Sequence, residues 1–340
     1  MKKNLIPVVK FLLLSVIAGL LLFLSFRGIS FKIVYNEIVK AEVGWVLLSV
    51  FISLIALISR AFRWKLLIEP LGYHPTLKNT TYAVAVGYLA NLAFPRLGEV
   101  TRCGSLGTAE NIPFNKLLGT VIVERVLDII SLFICTVLVA IVEFNRLGQF
   151  LKKNIADPVY LKLNQILSSV TGIIALVLFI IAVAFLIRIF IRNQRKKSAS
   201  KWAHIINGFI KGLISIKDLH KPWQFVFHSV LIWSLYYLSV YVCLFALPFT
   251  SHLGLAAALF LLVAGGLAMS APVQGGIGAY HLLVSQGLLL YGITLENGLA
   301  FATLLHSLQL IMVIITGIIA LLLLFLQKKN KPLQNTASAV

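Results

Sequence analysis

Apolar residues occur along this chain in long blocks, not in the strict alternation of a half-buried strand. Six blocks, each of about 20 residues, are long enough as helices to cross a hydrocarbon core of about 30 Å. They lie at residues 7–26, 44–62, 119–142, 169–190, 225–247 and 300–326. A helix satisfies its own backbone polar groups in lipid, so the pattern predicts an all-α polytopic membrane protein with about six transmembrane helices.

Two further apolar segments are interrupted before they reach a full span. The first stops at Pro95 and the second at Pro272, each followed by glycines and another short segment. Proline ends a helix and glycine permits a tight turn. We therefore expect two re-entrant helical hairpins, at about 81–112 and 255–292. The expected turn residues are Pro95 and Gly98 in the first hairpin, and Pro272, Gly275, Gly276 and Gly278 in the second.

The distribution of lysine and arginine predicts the orientation. With the N-terminus inside, only seven of the 30 basic residues fall in the external segments 27–43 and 143–168. This is the positive-inside bias of a plasma (inner) membrane protein. Both termini are then cytoplasmic, with a basic loop at about 188–224 and a polar tail at 328–340 after a single membrane domain, 1–327. The hairpins enter from opposite sides, which is typical of inverted repeats.

The composition and net charge indicate which molecules the chain is expected to contact. The chain is 59% hydrophobic, only 12% charged, and carries a formal net charge of +19. In a soluble protein that charge would suggest nucleic acid. Here basic loops account for it, so we expect contact with membrane phospholipids and none with nucleic acid. The three cysteines show no metal-ligand or disulfide spacing, and we expect no metal and no cofactor.

Charged residues in the first hairpin and the third span form the first candidate site. Glu124, Arg125 and Asp128 lie within the predicted third span, where three ionisable side chains cost several kcal/mol unless they are paired or hydrated. Glu124 and Asp128 of this span lie four residues apart on one helical face, so their carboxylates need a cation nearby. Arg96 and Arg102 are the candidates. The six charges sum to zero, which fits either a neutralised ion-pair cluster or a cavity that exchanges one internal partner for a lipid headgroup. The set is Arg96, Glu99, Arg102, Glu124, Arg125 and Asp128.

The second turn forms the other candidate site. Glycines allow a close backbone approach there, and the N-terminus of the following helix would favour an anion. Gln274 and His281 are the polar side chains within reach. The alternative is a tight interhelical turn packed with small residues. His228 and His306 are interpreted as ordinary residues of the bundle.

Four motifs resemble the transmembrane region of the lysylphosphatidylglycerol synthase family, whose members are also described as flippase-like. They are "RAFRWKLLIEPLG" (60–72), "PRLGEVTR" (95–102), "ERVLD" (124–128) and "PVQGGIGAYH" (272–281). The resemblance implies a bundle with two re-entrant hairpins and transfer of an aminoacylated phospholipid between leaflets. His281 replaces an acidic residue usual in the family, which bears on recognition of a cationic headgroup. No soluble synthase domain follows the last span, so we do not expect this chain alone to synthesise the lipid.

Three functions remain open at this stage. The first is a flippase-like transporter of a polar or aminoacylated phospholipid, or of a lipid-linked carrier. The second is an intramembrane lipid-modifying enzyme, with Glu99, Glu124 or Asp128 as acid or base and Arg96 holding a phosphate. The third is a non-catalytic scaffold or regulator. A homo-oligomer and a separately encoded lipid-modifying enzyme are the protein partners that the sequence leaves open.

Overall fold

A computed structural model describes residues 5–152, 157, 160, 161 and 219–329 of the chain. Within these ranges it contains eleven α-helices and no strand. The helices are α1 Leu5–Phe26, α2 Phe31–Val39, α3 Val43–Ile68, α4 Leu77–Ala93, α5 Leu97–Glu110, α6 Phe114–Val142, α7 Phe144–Leu151, α8 Pro222–Leu244, α9 Leu255–Ser270, α10 Ala279–Leu289 and α11 Leu295–Lys329. Short 3₁₀ turns occupy Glu69–Leu71 and Gln274–Gly276.

Four helices in the described ranges are long and apolar enough to cross a membrane, namely α3, α6, α8 and α11. A fifth crossing is present if α1 and α2, which meet at a bend of 81°, count as one broken span. These helices correspond to five of the six predicted spans, and the prediction at 169–190 lies outside the described residues. The protein is therefore an all-helical multi-pass membrane protein.

One predicted boundary is wrong in a way that affects the site. The span expected to end at residue 62 continues as α3 to Ile68, and its last turns are buried. Hydropathy places Arg60 and Arg63 at the cytoplasmic end of that span, but they lie inside this helix with relative exposures of 5% and 0%. Both arginines pair with Asp128 of the neighbouring helix α6.

Two helical hairpins are present, α4 with α5 and α9 with α10. They break between Ala93 and Leu97 in the first and between Ser270 and Ala279 in the second. Their helices have 17, 14, 16 and 11 residues, each shorter than the roughly 20 that a crossing of about 30 Å requires. Re-entry of these hairpins from opposite sides of the membrane stays a prediction.

Two hydrophobic cores surround the two hairpins. The first lies among α3, α4, α5 and α6 and includes Trp64, Leu106 and Leu117. The second lies among α1, α8, α9, α10 and α11. The long helix α11 contributes Phe301 to the second core and Ala320 to the first, so it packs against both hairpins.

Helices α3 and α8 meet through serines. Ser49 Oγ donates to the carbonyl oxygen of Ser239 at 2.9 Å, and Ser239 Oγ donates back to that of Ser49 at 3.1 Å. Ser53 Oγ lies 2.8 Å from Ser239 Oγ. Small hydroxyl side chains let membrane helices approach closely while satisfying their own polar groups. This contact joins the first half of the bundle to the second.

Contacts divide the chain into two compact units, Met1–Val139 with Lys217–Val340, and Ala140–Ile216. Both hairpins and both candidate sites belong to the first unit. In the second unit, Arg146 Nη1 donates to Glu143 Oε2 at 2.8 Å across one turn.

Candidate functional site

Two arginines of α3 face two carboxylates of α6. Arg60 and Arg63 are three residues apart, and Glu124 and Asp128 are four apart, so each pair lies on one face of its helix. Arg60 Nη2 donates to Asp128 Oδ2. Arg63 Nη2 donates to Asp128 Oδ1 at 2.8 Å and to Glu124 Oε1 at 3.4 Å. Asp128 therefore bridges the two arginines.

The first hairpin completes this group through α5. Arg102 Nη2 donates to Glu124 Oε2 at 2.5 Å. Arg125 Nη2 lies 3.2 Å from Glu99 Oε1, and Arg125 Nη1 lies 4.0 Å from Asp128 Oδ2. We call the whole group the arginine–carboxylate cluster. Its members are Arg60, Arg63, Glu99, Arg102, Glu124, Arg125 and Asp128.

Aromatic side chains pack around the arginines. The Arg102 guanidinium lies 4.6 Å from the centre of the Trp64 ring, and Trp64 Nε1 donates to Thr120 Oγ1 at 2.8 Å. The Arg60 guanidinium lies 5.9 Å from the Tyr88 ring, and Arg60 Nη1 donates to the Tyr236 hydroxyl at 3.4 Å. Each cation–π contact contributes about 0.5–2 kcal/mol, depending on desolvation. Four helices, α3, α4, α6 and α8, thereby fix the arginine side chains.

The cluster lies well inside its helices, and only one side of it is accessible. At 1.5 Å per residue, α6 is about 43 Å long, with Glu124 about 15 Å and Asp128 about 21 Å from its start. The side chains of Arg63 and Glu124 are 0% exposed, whereas Asp128 is 16% and Arg125 42% exposed. A ligand would therefore reach the cluster from the side of Arg125 and Asp128.

The turn of the first hairpin differs from the expectation at two residues. Arg96 adopts the left-handed conformation, with φ of 67°, whereas Gly98 lies inside α5. A Cβ atom on Gly98 would collide with the carbonyl oxygen of Gly87 and with the side chain of Asn91. Gly98 N–H donates to Asn91 Oδ1 at 2.7 Å. Gly98 therefore permits close packing of α5 on α4, and the turn itself depends on Arg96.

Arg96 also differs from its predicted role as a partner of the α6 carboxylates. Its side chain is exposed, and within the described ranges it makes no ion pair. Arg102 does pair with Glu124, as expected, but Arg60 and Arg63 supply the remaining cations. The sequence reasoning missed these two arginines. The signal for them was the apolar run Leu66–Ile68, which continues the helix beyond Arg63.

The second turn holds the other predicted polar residues. Gly275, Gly276 and Gly278 all have positive φ. Gln274 Nε2 donates to Ser15 Oγ of α1 at 3.0 Å. The ring of His281 lies edge-on to that of His306 of α11, with 5.1 Å between centroids. Gln274 and His281 thus contact α1 and α11 here, and their place in one site with the arginine–carboxylate cluster stays a prediction.

His306 connects the second turn to the bundle. Its Nε2 lies 2.8 Å from the carbonyl oxygen of Gly275, which as a hydrogen bond requires the Nε2–H tautomer. A Cβ atom on Gly275 would lie 3.1 Å from Leu92 Cδ2, three residues before Pro95. The turns of the two hairpins therefore lie close together. In the described part of the chain, no three His, Cys, Asp or Glu side chains are grouped closely enough to hold a metal ion.

The fold and the cluster define a class: a polytopic helical membrane protein with ion pairs buried between helices in its first half. Residues 9–317 match the family described as the lysylphosphatidylglycerol synthase TM region. The chain belongs to this family, in its membrane region.

One curated relative is also described as a membrane protein. The chain is similar to the UPF0104 membrane protein MJ1595 of Methanocaldococcus jannaschii, with 29% identity over 126 residues. The match covers 36% of this chain and 38% of the relative. The chain thus spans well under half the length of that relative. No solved structure matches the chain.

Proposed function

We propose that this protein moves a polar or aminoacylated phospholipid, or a lipid-linked carrier, between the two leaflets of its membrane. The observation that carries the proposal is the arginine–carboxylate cluster, which is buried between α3, α5 and α6 and includes Asp128 near the middle of the membrane-length helix α6. Ionisable groups at that depth are costly, and in membrane proteins they typically mark substrate or ion pathways. A headgroup crossing hydrocarbon needs polar partners on its way, while its acyl chains stay in lipid.

The accessible part of the cluster is suited to exchange of partners. The Glu99–Arg125 pair is 3.2 Å long, and its side chains are 21% and 42% exposed. A pair that is open on one side is held less firmly than a fully buried pair, so a headgroup can replace one of its members more easily. The fully buried pairs behind it hold the helices in place. Two helical hairpins, one in each half, fit the inverted repeats that place transporter sites between half-helices.

A leaflet-transfer assay tests this proposal. Purified protein is reconstituted into vesicles with fluorescent phospholipids, and the fraction that becomes accessible to a membrane-impermeant quencher is followed over time. Glu99→Gln alters the accessible side of the cluster, and Arg96→Asn removes an exposed cation in the turn three residues before Glu99. Asparagine tolerates the left-handed conformation of Arg96, so this variant keeps the turn. Both variants should fold as the wild type does and lose most of the transfer rate.

The control is Arg27→Asn, at an exposed arginine beyond the end of α1. It should keep the wild-type transfer rate. Arg96→Lys keeps the charge but loses the planar guanidinium that suits a phosphate. Its transfer rate should lie between those of the wild type and Arg96→Asn. Wild-type protein that transfers none of a panel of phospholipids would contradict the proposal and favour a scaffold. Conversion of the lipid to a new species in the same vesicles would favour an enzyme.

A further inference from the structure

The arginine–carboxylate cluster has more positive than negative charges. It contains four arginines, Arg60, Arg63, Arg102 and Arg125, and three carboxylates, Glu99, Glu124 and Asp128, which leaves one excess positive charge. The innermost part is also unbalanced. Arg60, Arg63 and Arg102 are 5%, 0% and 3% exposed, and they share two carboxylates. An uncompensated buried charge is expensive in a membrane-spanning bundle.

The hydrogen-bonding atoms show the same imbalance. Five buried guanidinium nitrogens lack an acceptor among the described residues: Nε of Arg60, Arg63, Arg102 and Arg125, and Nη1 of Arg63. A single carboxylate oxygen of the cluster, Glu99 Oε2, lacks a donor among the same residues. Buried donors without acceptors cost about 1–3 kcal/mol each, and more when charged. The site is therefore richer in donors than its own carboxylates can satisfy.

The surrounding aromatic rings do not remove this excess. Trp64 and Tyr88 present ring faces to Arg102 and Arg60, but a cation–π contact supplies no acceptor in the plane of a guanidinium. The Tyr236 hydroxyl accepts one long hydrogen bond, 3.4 Å, from Arg60 Nη1. An anion with several oxygens would meet the remaining donors. A cationic headgroup would instead add a further positive charge.

We propose that the cluster binds one singly charged phosphate group, carried by an anionic phospholipid, and that this phosphate displaces Asp128 from Arg60 and Arg63. The displaced carboxylate then pairs with Arg125, whose Nη1 lies 4.0 Å from Asp128 Oδ2, so the four arginines are matched by four negative charges. The inference rests on the proposed function and narrows its substrate class. Asp128 bridges Arg60 and Arg63 and is 16% exposed, so it lies between the accessible side and the fully buried Arg63. Arginine binds phosphate oxygens in the same forked geometry as a carboxylate, so one ligand can replace the other.

Lipid retention tests the proposal without a transport assay. Protein is purified from mixed micelles that contain equal amounts of phosphatidylglycerol and phosphatidylcholine, and the retained lipids are quantified by mass spectrometry. Both lipids carry a singly charged phosphodiester, but the quaternary ammonium of phosphatidylcholine adds a positive charge next to the excess arginine. Wild-type protein should therefore enrich phosphatidylglycerol about tenfold. Arg60→Gln removes the excess charge but leaves Asp128 held by Arg63. It should reduce the enrichment to about onefold, and because Arg63 still holds Asp128 it should lower the unfolding temperature less than Glu124→Gln does.

Asp128→Asn is the variant that distinguishes a ligand site from a structural ion-pair cluster. It removes the internal competitor, so enrichment of phosphatidylglycerol should increase, and added phosphatidylglycerol should raise the unfolding temperature more than in the wild type. A purely structural cluster would give reduced or unchanged enrichment, which would overturn the proposal. Arg60→Gln decides alone if Asp128→Asn does not fold.

Two further experiments test how specific the site is. The first separates a specific lipid site from general attraction of anionic lipid, and the second separates it from a site for free phosphate. Lys116→Gln removes an exposed positive charge outside the cluster and should keep the wild-type enrichment. An equal loss in Lys116→Gln and Arg60→Gln would mean general attraction of anionic lipid, against the proposal. Sodium phosphate should stabilise Asp128→Asn less than phosphatidylglycerol does. Equal stabilisation by the free anion would overturn the assignment to a lipid.

The proposal of lipid transfer and the proposal of an anionic ligand can be refuted independently. Equal retention of both lipids, together with leaflet transfer of phosphatidylcholine, would refute the anionic ligand and leave the transport function standing. Selective retention of phosphatidylglycerol without any transfer would support the ligand and refute transport.

Discussion

Glu124 is the residue at which the electrostatics of the cluster can be tested most directly. Its side chain is 0% exposed and accepts hydrogen bonds from Arg102 at 2.5 Å and Arg63 at 3.4 Å. Glu124→Gln keeps the size and shape of the side chain and removes only its charge. Because both arginines remain, the variant buries one more uncompensated cation than the wild type. We expect a strong loss of stability from this change.

The magnitude follows from burial. Removing one partner of a buried ion pair costs about 3–5 kcal/mol, whereas replacing both partners is often close to neutral. Arg102→Gln with Glu124→Gln removes one positive and one negative charge together. The double variant should therefore be more stable than Glu124→Gln alone, by about 2–3 kcal/mol. Glu37→Gln is the control, since its pair with Lys40 is exposed and is worth less than about 1 kcal/mol.

Reversible unfolding in mixed detergent micelles, followed by helical circular dichroism, measures these free energies. The four proteins are compared in one lipid-free detergent, so that bound phospholipid does not alter the differences. A double variant less stable than Glu124→Gln would refute the reasoning, because it would mean that Arg102 stabilises the bundle without its carboxylate. An effect of Glu124→Gln no larger than that of Glu37→Gln would show that the cluster is solvated.

Three other predictions follow from packing, hydrogen bonding and charge distribution. Gly98→Ala should destabilise the first hairpin by about 1–3 kcal/mol, because the new Cβ atom collides with Gly87 and Asn91. Gly104→Ala in the same helix meets nothing within 4 Å and should be neutral or stabilising, and the unfolding midpoints of the two variants are compared. His306→Phe should leave the carbonyl of Gly275 without its donor and speed hydrogen exchange at the second turn, and unchanged protection there would contradict this role. Cysteines at the exposed positions Asn36 and His74 should react with an impermeant maleimide from opposite sides, and labelling from one side would refute the predicted orientation.

The long helices could be predicted from the sequence because hydropathy alone determines them. Each of α3, α6, α8 and α11 contains a long window of high mean hydropathy with at most two charged residues, and the breaks near Pro95 and Pro272 occur where proline ends a helix. The end of α3 could not be placed this way. A charge normally marks the end of a span, and only contact with α6 shows that Arg60 and Arg63 pair with a carboxylate inside the bundle.

The sequence could not predict which arginines belong to the cluster, because that too depends on the contact between α3 and α6. Spacing placed Glu124 and Asp128 on one face and indicated that they need cations. It could not choose among arginines on different helices, since that choice depends on how α3, α5 and α6 pack. Replacing Arg96 by Arg60 and Arg63 changes the chemistry of the site, because the six residues expected from the sequence sum to zero and the observed seven do not.

The first hairpin is held by two kinds of contact that respond to different changes. Gly87 and Gly98 bring α5 so close to α4 that a Cβ atom on Gly87 would lie 3.0 Å from Arg102 Cβ. This packing places Arg102 over Trp64 and within reach of Glu124 whatever the charge of that residue. Loss of the Glu124 charge should therefore leave α5 docked and only free the guanidinium, whereas Gly98→Ala should move the whole helix. A site that exchanges charged partners needs this separation, because its hairpin must stay in place while an internal carboxylate gives way to a ligand.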